Sequence, residues 1–208
     1  MTSTIPASHP AKGASGIRPR PEPSSSNIPL VQELGASVEV RALFARYRER
    51  FARTELPGIV LCFATNAALL EGMLKIAEGL LFGPSLLSCQ IKEMIATYLS
   101  GKNACSYCAE SHGVMLETQG ASAQQVCTLR NGELKPQLLS SAEIALLAFA
   151  EQINRTSSSV TRDDVQNVMN AGWTEAQVAE AVHIAALFAA FNRIANGFGL
   201  AAPFSDAK

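Results

Sequence analysis

The stretch E-M-I-A-T-Y-L-S-G-K-N-A-C-S-Y-C-A-E-S-H, residues 93–112, decides the fold that we predict for this chain. It holds two cysteines three positions apart, Cys105 and Cys108, and His112 follows four positions after the second. Residues three, four or seven positions apart share one face of a helix. The sequence therefore predicts that the two thiols and the imidazole form one short stripe.

The boundary between two helices is expected just before these cysteines. We predict that one helix ends at Gly101 and that Asn103 is the N-cap of the next. At a helix start, free N–H groups and the helix dipole favour a thiolate, as do a C-x-x-C arrangement and a nearby imidazole. We expect His112 to take the proton of Cys108, and Cys105 to close a disulfide with it.

Glu93 precedes Cys105 by twelve residues, on the preceding predicted helix. A helix–turn–helix would bring its carboxylate beside the sulfurs, as a proton acceptor or as a group that orients the histidine. The alternative is a solvated glutamate, because the neighbouring Met94 and Ile95 do not decide which face Glu93 occupies.

These residues carry a resemblance to a known family. The pattern E-x11-C-x-x-C-x3-H resembles the motif of the AhpD-like alkylhydroperoxidases, in the carboxymuconolactone decarboxylase superfamily. The segments A-L-L-A-F-A at 145–150 and F-N-R-I-A-N at 191–196 are similar to its peroxidase-related subgroup. The resemblance covers roughly residues 36–202 and implies an all-α, AhpD-like helical bundle.

The resemblance also implies an activity, that of a thiol-dependent alkylhydroperoxide reductase. Cys108 would be the peroxidatic cysteine and Cys105 the resolving one, while His112 and Glu93 would transfer protons. It implies a small-molecule hydroperoxide substrate, a dithiol or thiol-protein reductant, and no metal or organic cofactor. It further implies a homo-oligomer, which the alanine-rich, apolar last helix also favours.

One position departs from the family pattern. Tyr107 stands directly before the second cysteine, where the best-studied members carry a histidine of a proton relay. A neutral tyrosine is a poor base near pH 7, so the complete relay is not expected in this chain.

Four other interpretations remain open from the residues themselves. A decarboxylase or lactone-processing enzyme on the same fold is one, although such members generally lack the cysteine pair. A non-enzymatic, redox-sensing oligomeric stress protein is another. The four motif residues could instead bind zinc, although three ligands on one helix suit tetrahedral geometry poorly. Finally, the cysteines could be small hydrophobic residues of a core helix.

Composition excludes several classes of function. The chain has 208 residues, 17 basic and 18 acidic, and no basic block after its first twenty residues, which argues against binding to nucleic acid or a charged membrane surface. Five cysteines do not form a secreted disulfide pattern, so we expect a reducing cytoplasm. The apolar run 58–82 is interrupted by Glu71, Lys75 and Glu78, which indicates a buried helix and not a membrane span.

The domain organisation follows from a change in composition. We predict that residues 1–34 form a flexible Ser/Pro-rich tail and that residues 35–208 form one all-helical domain. The tail lacks the apolar segment of a signal peptide, and its arginines and serines allow an organelle-targeting signal as a minority interpretation.

Helices are predicted over 59–80, 85–100 and 104–119, the last stopping at Gly120. Ser140 with Glu143, Thr161 with Asp164, and Thr174 with Gln177 mark the starts of three more, the last ending near Gly197.

Several single residues are predicted to be structural. His183 is interpreted as a core histidine, and Asn192 as a polar residue that bonds a carbonyl or an interface. Cys62, Cys89 and Cys127 stand among apolar neighbours and are interpreted as inert.

Overall fold

The computed structural model describes residues 26–203, which form nine α-helices and no β-strand. The helices are α1 (Val38–Phe51), α2 (Gly58–Phe63), α3 (Ala67–Ala77), α4 (Cys89–Lys102), α5 (Ser106–Thr118), α6 (Ala123–Arg130), α7 (Ser141–Thr156), α8 (Arg162–Asn170) and α9 (Glu175–Phe198). Short 3-10 turns occur at Glu33–Gly35 and Ser157–Ser159, and a π-helical turn at Glu78–Phe82. The predicted all-α class is confirmed.

Helix α4 lies at the centre of the bundle. Every residue from 92 to 100 is buried, and the helix packs against α5, α6, α7 and α9. Helix α9 is the second central element, because it contacts α2, α4, α5, α7 and α8. Helix α5, which carries the cysteines, packs against both of these helices.

Helix α9 is long and apolar enough to span a membrane by length and composition. It is the one such helix among residues 26–203. Its buried side chains, which include Ile184, Phe188 and Phe191, belong to the same hydrophobic core as those of α4 and α7. In this fold α9 is therefore a core helix.

The predicted helix over 59–80 is wrong as one continuous element. The chain breaks between α2 and α3, where Asn66 adopts an extended conformation and caps α3. Its side-chain oxygen accepts the N–H groups of Ala68 and Leu69 at 2.9 and 3.2 Å. An asparagine that satisfies two free N–H groups starts a new helix within an otherwise continuous apolar pattern.

The boundaries of α4 also differ from the prediction. The helix begins at Cys89, capped by Ser88, and it continues through Gly101 to Lys102. Gly101 is therefore not a helix stop. A Cβ at this position would lie 2.4 Å from the carbonyl oxygen of Arg130, so the glycine allows α4 to contact the end of α6.

The caps predicted in the last third of the chain are confirmed. Reciprocal capping boxes begin α7 at Ser140, α8 at Thr161 and α9 at Thr174. Gly120, with φ of +96°, follows the end of α5 as predicted. Helix α9 ends later than expected, at Gly199 with φ of +71°.

Most of the predicted tail, residues 1–25, lies outside the described residues, as do residues 204–208. The part that is described contacts the helical core. The backbone N–H of Asn27 donates to the carbonyl oxygen of Phe198 at 2.7 Å, and Leu30 and Val31 pack on the core. The boundary that we predict at residue 34 stays a prediction.

Candidate active site

The turn between α4 and α5 positions the two cysteines. Asn103 is the C-cap of α4, Ala104 has a left-handed φ of +52°, and Cys105 is the N-cap of α5. The prediction that Asn103 caps the second helix is therefore wrong by two residues. A non-glycine residue in the left-handed region is uncommon, and here it lets the chain reverse direction directly before the first cysteine.

Both motif cysteines are buried and form a coupled pair. Cys105 is 1% exposed and Cys108 is 4% exposed. A hydrogen bond from the Cys108 thiol lowers the pKa of Cys105, and the backbone N–H of Cys108, the Asn192 amide and the charge of His112 lower it further against the opposing effect of burial. The same hydrogen bond, burial and the charge of Cys105 raise the pKa of Cys108.

The pKa of Cys105 is therefore lowered and that of Cys108 raised, whereas the sequence led us to expect the more acidic thiol at Cys108. The physical reason is the position of each sulfur. Cys105 is the N-cap of α5, while Cys108 lies one turn into the helix with its thiol directed to its neighbour.

Glu93 and His112 meet across the interface between α4 and α5. The distance from His112 Nδ1 to Glu93 Oε2 is 2.7 Å, and both side chains are largely buried. The His112 ring packs edge-on against Phe188 of α9, with ring centroids 4.7 Å apart. Glu93 is therefore not a solvated residue, and its carboxylate fixes the orientation of the imidazole.

An apolar cavity of about 120 Å³ adjoins α5 at Cys108 and His112 and is also lined by residues of α1 and α3. Cys108 and His112 both lie on its wall, whereas Cys105 does not. Most of the lining is aromatic or aliphatic, and it includes Tyr47, Phe51, Leu74, Leu81, Met115 and Phe191. Of the two motif cysteines, Cys108 is therefore the one that lines this cavity.

Tyr107 also lines this cavity. Its hydroxyl accepts the backbone N–H of Ile59 at 3.2 Å, which ties α5 to the start of α2. Burial raises the pKa of Tyr107 to about 12. The residue therefore positions the cavity wall and does not serve as a base near neutral pH.

Two neighbours of the motif residues were not identified from the sequence. Asn192 of α9, interpreted as structural, is 1% exposed, donates to Ser100 Oγ at 2.9 Å and acts to lower the pKa of both motif thiols. Phe188, one turn earlier, supports the histidine ring. A polar asparagine on an otherwise apolar helix was the signal for the first; nothing in the sequence singles out the second.

The remaining cysteines and His183 differ in part from expectation. Cys62 is buried, and burial raises its pKa to about 11, which agrees with an inert thiol. Cys89 and Cys127 are exposed. They are therefore not core residues, although their apolar sequence neighbours had suggested burial. His183 is exposed as well, and its Nδ1 lies 2.8 Å from the carbonyl oxygen of Ala179.

The zinc alternative can be compared with this geometry. Within residues 26–203, no three or more His, Cys, Asp and Glu side chains are grouped so that they could hold a metal ion. Glu93 pairs with His112 at 2.7 Å, while the two free cysteines lie together in a buried cluster that contains neither of these side chains.

Comparison with known proteins gives likenesses of structure. No family model and no curated protein matches the sequence. Among solved structures, an uncharacterized peroxidase-related protein from Silicibacter sp. TM1040 is 22% identical, with a TM-score of 0.71 over 88% of this chain and 93% of that one. An alkylhydroperoxidase AhpD core protein from Ralstonia eutropha JMP134, also uncharacterized, is 21% identical, with a TM-score of 0.76 over 85% and 92%.

A third solved structure broadens the chemistry found on this fold. The debrominase Bmp8, solved in complex with 2,3,4-tribromopyrrole, is 16% identical to this chain. Its TM-score is 0.64, and the match covers 85% of this chain and 91% of that one. The fold is therefore not confined to peroxidases. At these identities the likeness shows the architecture, and it confirms the fold predicted from the cysteine motif: the chain has the AhpD-like helical fold.

Proposed function

We propose that this protein is a thiol-dependent hydroperoxide reductase. The observation that carries the proposal is the arrangement of the four motif side chains. Cys108 and His112 share the wall of an apolar cavity, Cys105 lies in the same buried cluster as Cys108, and Glu93 holds His112 at 2.7 Å. This arrangement supports a role for Cys108 as the nucleophile, with an oriented imidazole on the same cavity wall.

In this proposal the resting pair carries one proton, on Cys108, and the first chemical step moves it to Cys105. As a hydroperoxide enters, the thiolate of Cys105 takes the proton of Cys108, and the new Cys108 thiolate attacks the distal oxygen. The O–O bond breaks, and Cys108 becomes a sulfenic acid. His112, held in place by the Glu93 carboxylate, gives a proton to the departing alkoxide, which leaves as an alcohol.

The second step closes the disulfide. The thiol of Cys105 attacks the sulfenic sulfur of Cys108, and water leaves with the thiol proton and the sulfenic hydroxyl. The pair has then given two electrons to the hydroperoxide. An external dithiol or thiol protein returns them by thiol–disulfide exchange, and this exchange also restores the protons of the resting site.

The shape and polarity of the cavity support organic hydroperoxides as the preferred substrate class. Aromatic and aliphatic side chains form most of its lining, and it leads from the surface to Cys108. Burial of an alkyl or aryl group against such a lining is favourable by about 25 cal/mol per Å² of apolar surface. Hydrogen peroxide offers no apolar surface and would gain nothing from this cavity.

A halogenated aromatic compound is a second candidate substrate, on the strength of the likeness in fold to a debrominase and of the aromatic cavity. The same thiol pair would supply the two electrons of a reductive dehalogenation. In that reaction a carbon–bromine bond becomes a carbon–hydrogen bond, bromide leaves, and Cys105 and Cys108 form the disulfide.

We also propose that the protein assembles with copies of itself in a reducing cytoplasm. Large apolar side chains are exposed on α3, where Leu69 is 52% and Ile76 53% exposed. All five cysteines are unpaired, which suits a compartment that keeps thiols reduced.

The test is consumption of cumene hydroperoxide with dithiothreitol as the reductant. We expect turnover by the wild type, loss of nearly all activity in Cys108→Ser, and wild-type activity in the matched control Cys127→Ser, whose thiol is exposed and outside the cavity. A tribromopyrrole assayed in parallel distinguishes the second candidate. A protein that forms the disulfide but turns over neither substrate would instead be a redox sensor. A Cys108→Ser variant that keeps wild-type activity would contradict the proposed role of Cys108.

A further inference from the structure

A chain of hydrogen-bonded amides lies next to the cysteine pair, and the mechanism above does not use it. Asn192 of α9 donates its Nδ2 to the hydroxyl of Ser100 at 2.9 Å, and its Oδ1 accepts from Asn103 Nδ2 at 2.9 Å. Ala195, one turn further along α9, belongs to the same buried cluster as Cys105 and Cys108. Asn192 therefore lies beside the sulfurs, and its amide acts to lower the pKa of both thiols.

The orientation of the Asn192 amide decides what it offers to those sulfurs. Because its oxygen accepts from Asn103, its NH2 group faces Ser100, whose backbone carbonyl accepts the N–H of Cys105 at 2.9 Å. Asn103 is itself held by Asn154 in a reciprocal amide pair, with bonds of 2.8 and 3.1 Å. The network thus presents a donor, and not an acceptor, to the thiols.

We propose that Asn192 is a catalytic residue that donates an amide N–H to the thiolate of the Cys105–Cys108 pair, and that Asn103 is the positioning residue that fixes its orientation. A hydrogen bond to the charged form of a buried group stabilises that form and pre-organises its surroundings. An unoriented amide would instead be free to turn its oxygen toward the sulfurs, which would destabilise a thiolate.

This role also links the acid–base state of the pair to its redox state. The disulfide carries no charge, so a donor that stabilises the thiolate favours the reduced pair. Removal of that donor should therefore make the disulfide harder to reduce. The inference rests on the thiol pair of the proposed function, but it does not depend on which substrate oxidises the pair.

The test is the pH profile of iodoacetamide alkylation of the motif peptide in the full-length protein, followed by mass spectrometry. We expect Asn192→Leu, which keeps a similar volume and lacks the donor, to shift the profile upward by about one pH unit or more. Asn103→Ala should shift it upward by a smaller amount. Both variants should also have a more negative reduction potential, measured against a dithiothreitol redox buffer.

The matched control is Asn196→Ala, because exposed Asn196 lies one turn further along α9 and donates only to the backbone of Asn103. Its alkylation profile should equal that of the wild type. A folded Asn192→Leu with a wild-type profile would overturn the proposal. A wild-type alkylation profile in Asn103→Ala would contradict the positioning role of Asn103. If Asn192→Leu does not fold, the profile of Asn103→Ala alone tests the proposal. If the alkylation profiles of the variants shift but the wild type does not turn over hydroperoxide, the proposed function is overturned and this inference still holds.

Discussion

Glu93 and His112 are separated by 19 residues and joined by a contact of 2.7 Å between Oε2 and Nδ1. The contact spans the interface between α4 and α5, and it occupies one of the two ring nitrogens of the histidine. His112 also lies on the wall of the cavity. A carboxylate bound to one ring nitrogen fixes the orientation of the imidazole, and the proposed first step requires that orientation.

Removal of either partner should slow the chemical step. We expect Glu93→Gln and His112→Ala each to lower kcat/KM for cumene hydroperoxide by about 100-fold, the lower end of the usual contribution of general acid–base catalysis. His112→Ala should also raise the pKa of the Cys105 thiol, because the charge of His112 lowers it. Steady-state kinetics and alkylation across pH measure the two effects.

The control for these variants is Glu110→Gln. Glu110 is also on α5, but it pairs with Arg130 at 3.3 Å and does not line the cavity. Its kcat/KM should remain that of the wild type. Wild-type kinetics in Glu93→Gln would show that the carboxylate is structural only.

The buried thiol of Cys62 predicts a loss of stability at alkaline pH. Burial raises its pKa from 9.0 to about 11, so the folded state keeps the proton where the unfolded chain loses it. The resulting stabilisation is complete below pH 9 and declines as the pH rises from 9 to 11, by about 2–3 kcal/mol in total. Cys62→Ala should lack this decline. Urea unfolding at several pH values, with a phosphine reductant present, measures it.

Cys89→Ala is the matched control, since Cys89 is exposed. Its free energy of unfolding should fall with pH as steeply as that of the wild type. Parallel curves for Cys62→Ala and the wild type between pH 9 and pH 11 would contradict the assignment of the raised pKa.

Gly101 is predicted to be a packing position. A Cβ there would lie 2.4 Å from the carbonyl oxygen of Arg130 and 2.9 Å from the backbone nitrogen of Gly132, and backbone atoms cannot move aside cheaply. We expect Gly101→Ala to lower the free energy of unfolding by about 1–3 kcal/mol. Gly72→Ala, in α3 with open space around it, should raise it by about 0.5–1 kcal/mol. Urea denaturation compares the two, and equal effects would show that α4 and α6 can separate.

Local patterns in the sequence were sufficient for much of this fold. Each capping box, such as that of Ser140, is completed within four residues, so the start of its helix could be predicted without tertiary contacts. The same holds for the stripe of Cys105, Cys108 and His112, which depends on helix periodicity. The pairing of Glu93 with His112 needed the resemblance to a family as well.

Other features depend on contacts between distant segments and could not be read locally. Gly101 looks like a helix stop, and only the approach of α6 shows why a glycine is needed there. The relative pKa values of the two thiols depend on the groups around them, and these include Asn192, which is 84 positions beyond Cys108. Sequence spacing gives the distance between the sulfurs but not the donors around them.

The central claim is that Cys108 accepts the oxygen and that Cys105 resolves the product. Cys105→Ser removes the resolving thiol, so a sulfenic acid should persist on Cys108 after one equivalent of cumene hydroperoxide. Dimedone labelling followed by peptide mass spectrometry detects it. Our account predicts one dimedone adduct on Cys108 in Cys105→Ser and, in the wild type, a Cys105–Cys108 disulfide with no adduct. An adduct on Cys105 in Cys108→Ser, with none on Cys108 in Cys105→Ser, would contradict it.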